Sequence, residues 1–131
     1  MKGLGEFIKE SKRLVEMNTP KDYTKASDEA ILEIFENYRN LLHKGSKTFD
    51  QEFYGGITNN IPSNLRRHNI EKYIVCVEVD SFDTVKRIEG LLCSKLGFYI
   101  GKNEEGSAGR GGDADSTIVY MAKRDEPGFE D

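Results

Sequence analysis

Arg66, Arg67 and His68 follow Tyr54 across the stretch Gly55-Gly56-Ile57-Thr58-Asn59-Asn60-Ile61-Pro62-Ser63-Asn64-Leu65. A guanidinium grips phosphate oxygens in pairs. An imidazole titrates near neutrality, so it can bind phosphate or move a proton. A phenol close by could orient water or meet a base. At Gly56 the bare backbone leaves room for a close approach. Residues of these types in this order predict a surface that receives an anion. Each also has a plainer use: a tyrosine on a strand is at home in a core, and two arginines can belong to an ordinary solvated face.

The elements that must position these side chains follow from the pattern around them. Thr48 to Thr58 reads as a strand, with Phe53 and Tyr54 suited to a sheet and a bend at Gly55-Gly56. Asn59-Asn60 turns the chain, and Pro62 opens a short helix ending at His68. Tyr73 to Val79 is a second strand, apolar enough to be covered on both faces. Asp80 or Ser81 caps the next helix, whose buried stripe is Phe82, Val85, Ile88, Leu92 and Leu96, with Gly97 at its stop. Phe98-Tyr99-Ile100 is a short extended piece. Thr117 to Ala122 forms a last strand, with Ile118, Tyr120 and Ala122 alternating against Val119 and Met121. Upstream, one helix spans about Gly5 to Met17. A second runs from Asp28 to His43, capped by Ser27, with Ile31, Ile34, Phe35, Tyr38, Leu41 and Leu42 on one face. The fold class expected is α+β: a small mixed or antiparallel sheet of three to four strands, flanked by helices and preceded by two extra helices. Three segments are expected: a helical extension over 1–47, an α/β core over 48–122, and a mobile acidic tail over 123–131.

Tyr54-Gly55-Gly56-Ile57-Thr58, followed by a turn and a helix ending Leu65-Arg66-Arg67-His68-Asn69, resembles the second motif of the GIY-YIG nuclease family. There a strand reading Tyr-x-Gly-x-Thr leads into a helix that carries an arginine and then a histidine. The likeness extends over roughly residues 49–122. Glu89, in Lys86-Arg87-Ile88-Glu89-Gly90-Leu91-Leu92, falls where the family keeps its metal-binding glutamate. The resemblance implies a GIY-YIG-like core, with Tyr54, His68 and Glu89 as catalytic residues and one Mg²⁺ on Glu89. Two departures stand out. The family's opening strand, with its own catalytic tyrosine, is replaced by Leu42-His43-Lys44-Gly45-Ser46-Lys47. The family's arginine, four residues before the histidine, is Asn64 here. Loss of one transition-state donor costs about 10²–10³ in rate, so the scaffold without hydrolysis is the expectation, with a Mg²⁺-dependent endonuclease as the alternative.

Composition narrows the partner. In 131 residues with 32% charged side chains the net charge is −4 and the pI about 5.3. Proteins that scan duplex DNA are usually basic, because phosphate contacts supply their non-specific affinity. A short or small phosphate ligand suits this chain better. No apolar run is long enough to span a membrane and no leader is evident, which predicts a cytoplasmic protein without a membrane partner. Cys76 on a strand and Cys93 on a helix lack metal-ligand spacing and are expected to be inert buried thiols.

Gly101 to Ser116 is a glycine-rich loop with Arg110 among four glycines. Such a loop can turn backbone N–H groups toward an anion while the arginine adds its own grip. The Phe82 helix start and the Arg110 loop are similar to phage anti-Thoeris proteins that sequester a host nucleotide signal. The ligand-binding set expected is therefore Tyr54, Gly56, Arg66, Arg67, His68, Phe82 and Arg110, for a small or cyclic nucleotide or a short single strand. Without hydrolysis no cofactor is needed. A protein–protein adaptor, or a homo-oligomer built through the N-terminal helices, is the remaining expectation.

Overall fold

The computed structural model describes residues 4–6, 9, 18–101 and 115–131. Leu4 to Glu6 and Lys9 are helical. The rest of the helix expected over Gly5 to Met17, and Arg110 with most of its loop, lie outside the described residues.

The chain forms β1 (Lys21–Asp22), α1 (Asp28–Leu42), α2 (Phe49–Glu52), β2 (Phe53–Thr58), α3 (Ile61–His68), β3 (Val75–Glu78), α4 (Phe82–Ser94) and β4 (Ile118–Lys123). The strands make one mixed sheet in the order β1-β3-β4-β2. β1 runs parallel to β3, and β4 lies antiparallel to both β3 and β2. The ladder between β2 and β4 is unbroken from Phe53–Lys123 to Thr58–Ile118, so no bend interrupts Gly55-Gly56. The outer edge of β2 is covered by the piece after α4. Gly55 N–H donates to the Tyr99 carbonyl at 2.8 Å, and Tyr99 N–H to the Phe53 carbonyl at 3.0 Å.

Alternation along the strands sorts side chains into two layers. On one face Phe53, Ile57, Val75, Val77, Val119 and Met121 pack with Ile31 and Phe35 of α1 and Val85, Ile88 and Leu92 of α4. On the other, Tyr54, Cys76, Tyr120 and Ala122 pack with Ile61 and Leu65 of α3 and with Tyr73. β3 is thus covered on both faces, as its run of apolar residues predicts. β1 and α1 join the same sheet and core, so packing does not break at residue 47.

Helix ends follow their caps. Ser27, Asn60 and Ser81 each accept an N–H from the third helical residue of α1, α3 and α4 respectively. Beyond α4, Gly97 takes a φ of +79°, a conformation that disfavours a side chain. The apolar stripe of α1 outruns the core: Ile31 and Phe35 are buried, whereas Leu41 and Leu42 are exposed.

Two expectations need correction. Residues 49–52 are helical. Thr48 and Gln51 form a reciprocal capping box, and the buried Glu52 carboxylate accepts the Lys44 N–H at 2.7 Å and contacts His43 Nδ1. These local bonds outweigh the strand preference of the stretch. The tail, expected to be mobile, is folded back. Arg124 clasps Asp131 with two bonds of 3.0 and 2.9 Å, and Glu130 N–H donates to the His68 carbonyl at 3.0 Å. Asp125 anchors the start of this return, with Lys47 at 2.9 Å and Lys44 and Lys123 at 3.5 Å.

Candidate functional site

α3 ends beside the middle of the sheet, and its last turn sends three side chains in different directions. His68 points inward and is fully buried. Its Nδ1 lies 2.6 Å from the Glu130 carbonyl, which can only accept, so Nδ1 carries the proton. Nε2 is then the acceptor, 2.7 Å from the Tyr120 hydroxyl and 3.2 Å from Arg67 Nη2. Phe129 stacks on the ring at 5.1 Å between centroids and 7° between planes. Burial above all, together with the neighbouring Arg67 charge, pushes the imidazole below its ordinary range despite the Glu130 carbonyl. His68 is a neutral core histidine of one tautomer, and phosphate has no path to its nitrogens.

This state has a spectroscopic signature. At pH 6, where a free imidazole is mostly charged, His68 is expected to remain neutral and Nδ1-protonated in long-range ¹H–¹⁵N spectra. A charged ring at that pH would contradict the assignment.

Tyr54 is also buried, edge-on to His68 at 4.8 Å and stacked with Tyr120 at 6.2 Å. Burial raises its hydroxyl pKa, the Arg67 guanidinium opposes that rise, and the charge of Glu89 adds to it. Arg67, itself exposed, therefore lies over the phenol and imidazole edges of the aromatic cluster. Arg66 is exposed as well. Adjacent residues on a helix project about 100° apart, so exposed Arg67 and buried His68 part company. Asn64, at the position of the family arginine, is spent in the core: its carbonyl oxygen accepts the Tyr73 hydroxyl at 2.7 Å. Gly56 is not open to a ligand. A Cβ there would stand 2.4 Å from the Tyr120 hydroxyl.

Glu89 stands apart from this cluster on α4. It is 6% exposed. Burial raises its pKa to about 7, with Lys86 opposing the shift. It lines an open groove of about 790 Å³ together with Asp83, Lys86, Arg87, Gly90, Leu91, Ser94 and Ile100. Phe82, half-buried at the start of α4, packs against the core and carries the Lys86 ammonium 5.8 Å above its ring. Arg87 is held by Asp28 at 2.8 and 3.1 Å.

The magnesium ion implied by the family resemblance would fall to Glu89. Mg²⁺ requires ionised, hard oxygen ligands in near-octahedral array. Burial favours the protonated carboxyl, an ammonium stands near it, and no group of three or more His, Cys, Asp or Glu side chains suited to a metal occurs among the described residues. The surroundings of Glu89 do not fit that ion, and no step is derived through it.

The cysteines behave as expected of core thiols. Cys76 is buried, donates to the Asn18 carbonyl at 3.1 Å and has its pKa raised to about 12 by burial. Cys93 is partly buried, and the two form no disulfide.

Tyr120, Phe129 and Glu130 were not singled out by sequence reasoning, yet they decide the protonation and access of His68. Tyr120 carried a signal only as one of three alternating residues on the last strand. The tail residues carried none, because a short acidic segment with a proline resembles solvated chain.

The fold and site define an α+β domain with a closed aromatic core beside Arg67 and a separate groove on α4 of mixed charge. No family model, curated protein or solved structure matches the chain. No helix among the described residues is long and apolar enough to cross a membrane.

Proposed function

We propose that this protein binds a small phosphate-bearing ligand, such as a nucleotide, and does not hydrolyse it. The observation that carries this reading is the placement of the exposed Arg67 guanidinium at the rim of the aromatic cluster, with Nη2 3.2 Å from His68 Nε2. The Arg67 guanidinium also opposes the rise that burial imposes on the Tyr54 hydroxyl, so the cation and the phenol are neighbours. Arg67 grips the phosphate. Binding without cleavage is supported by the fates of the family's catalytic positions: His68 is sequestered and Asn64 holds Tyr73.

Arg67→Ala is expected to weaken binding of a nucleoside monophosphate by about ten- to a hundredfold in calorimetry, the range for loss of a charge-assisted bond. Arg66→Ala should change it little, and both variants should keep the parental circular dichroism. Equal losses from the two would detach Arg67 from the site. Mass spectrometry of small molecules released on denaturation provides an independent test, with a phosphate-bearing compound as the expected finding.

A further inference from the structure

Residues 124–131 cross the aromatic cluster as a strap, and Phe129 is the one aromatic residue in it. Its ring lies parallel to the His68 imidazole, 5.1 Å between centroids and 7° between planes, and 5.6 Å from the Tyr54 ring. His68 and Tyr54 thus form a seat for one flat ring, and the chain fills it with its own side chain. Arg67 stands at the rim of the same seat, exposed, with Nη2 3.2 Å from His68 Nε2.

The strap is held by weak ties. The Arg124–Asp131 pair, at 2.9 Å, joins side chains that are 25% and 44% exposed, and exposed ion pairs contribute little. Asn69 Nδ2 donates to the Gly128 carbonyl at 3.1 Å, also at the surface. Phe129 is only partly buried, and its neighbours Gly128 and Glu130 are exposed. The Glu130 backbone supplies the other bonds, its N–H donating to the His68 carbonyl and its carbonyl accepting from His68 Nδ1. Exposed segments tied in this way lie at the low end of local stability. The seat itself belongs to β2 and α3, and the His68 ring is held there independently by the Tyr120 hydroxyl at 2.7 Å.

A flat ring that stacks on aromatic side chains, joined to an anion that meets a guanidinium, is the chemistry of a nucleotide. We propose that Phe129 occupies the base subsite of this protein, so that the strap is autoinhibitory and a nucleotide binds by displacing it. Arg67 takes the phosphate while the base replaces Phe129 on His68 and Tyr54. Stacking accepts any base, so the subsite separates ligands with a ring from those without one. This deepens the phosphate-ligand reading above and rests on it.

The test is calorimetry with AMP, and with ribose 5-phosphate, which lacks the base, on the parent, Phe129→Ala and Asp131→Asn. A binding-competent state that is about 1–10% populated weakens apparent affinity by the inverse of that fraction. AMP is therefore expected to bind Phe129→Ala about ten- to a hundredfold more tightly than the parent. Asp131→Asn keeps the ring and loosens the clasp, so AMP affinity should rise by a smaller factor. Ribose 5-phosphate should bind all three proteins alike. In the parent, AMP should speed hydrogen exchange at the Glu130 amide, because lifting the strap breaks its bond to the His68 carbonyl. That measurement needs no variant, and circular dichroism confirms that the variants are folded. AMP binding that is unchanged or weakened by Phe129→Ala, yet still lost with Arg67→Ala, overturns the base subsite and leaves the phosphate site intact. An equal gain for ribose 5-phosphate, or slower Glu130 exchange with AMP, also overturns it. Absence of AMP binding by the parent and both variants overturns both readings.

Discussion

Glu89→Gln is expected to be more stable than the parent at pH 8, by on the order of 3 kcal/mol, and equal to it at pH 4. In the unfolded chain the carboxyl ionises near its ordinary 4.5, whereas burial holds it protonated up to about 7 in the fold. A raised carboxyl pKa means that the folded state binds the extra proton. Its contribution to stability is fully present below pH 4.5 and is lost as pH rises through about 7. The gap between the two values, at about 1.4 kcal/mol per pKa unit, sets the size of the loss. Glutamine keeps the shape and never ionises, so it escapes the loss. His68 titrates alike in both proteins and cancels from the difference. Thermal melts of the pair at pH 4, 6 and 8 should show a gap that opens with pH. A constant gap would mean that the carboxyl is hydrated or paired in the fold.

Gly56→Ala should destabilise the protein by about 3 kcal/mol, the upper part of the range for overpacked cores. The new methyl would lie 2.4 to 2.8 Å from three atoms of the Tyr120 phenol. That ring is 1% exposed, stacked on Tyr73 at 4.4 Å and bonded to His68, so it has nowhere to go. Its displacement would also leave the imidazole without its hydroxyl donor. Gly45→Ala is the control, since no atom lies within 4 Å of its added carbon. Denaturant titration should place the Gly56 variant well below the parent and the Gly45 variant close to it. Parental stability for Gly56→Ala would show that the Tyr120 ring can move aside.

The elements of this domain were readable where period and cap agree. Ser81 followed by Val85, Ile88, Leu92 and Leu96 specifies a helix and its buried face together, and Val119 and Met121 against Tyr120 and Ala122 specify a strand and both of its layers. The stretch before Phe53 was misread because its strand-favouring residues masked the local Thr48–Gln51 cap, and because the burial of Glu52 depends on His43 and Lys44 in the preceding turn. Site residues were readable by type and not by destination. Arg67 and His68 are neighbours in sequence, but one lies on the surface and the other in the core. The difference arises from Tyr120 and Glu130, which are 52 and 62 residues away. Glu89 was singled out for a metal, and only packing reveals that it is buried and favours its protonated form.

The sheet order also bears on how the domain assembles. β4 lies between β2 and β3 and is added after both as the chain grows. Until residues 118–123 arrive, β2 and β3 have no ladder between them, and each carries an open row of amides and carbonyls. The sheet therefore cannot be completed from its early strands alone. Its closure is a long-range event that brings Tyr120 under Gly56 and sets the imidazole tautomer in the same step. Non-local pairing of this kind slows folding and lengthens the time that bare strand edges remain open to other chains.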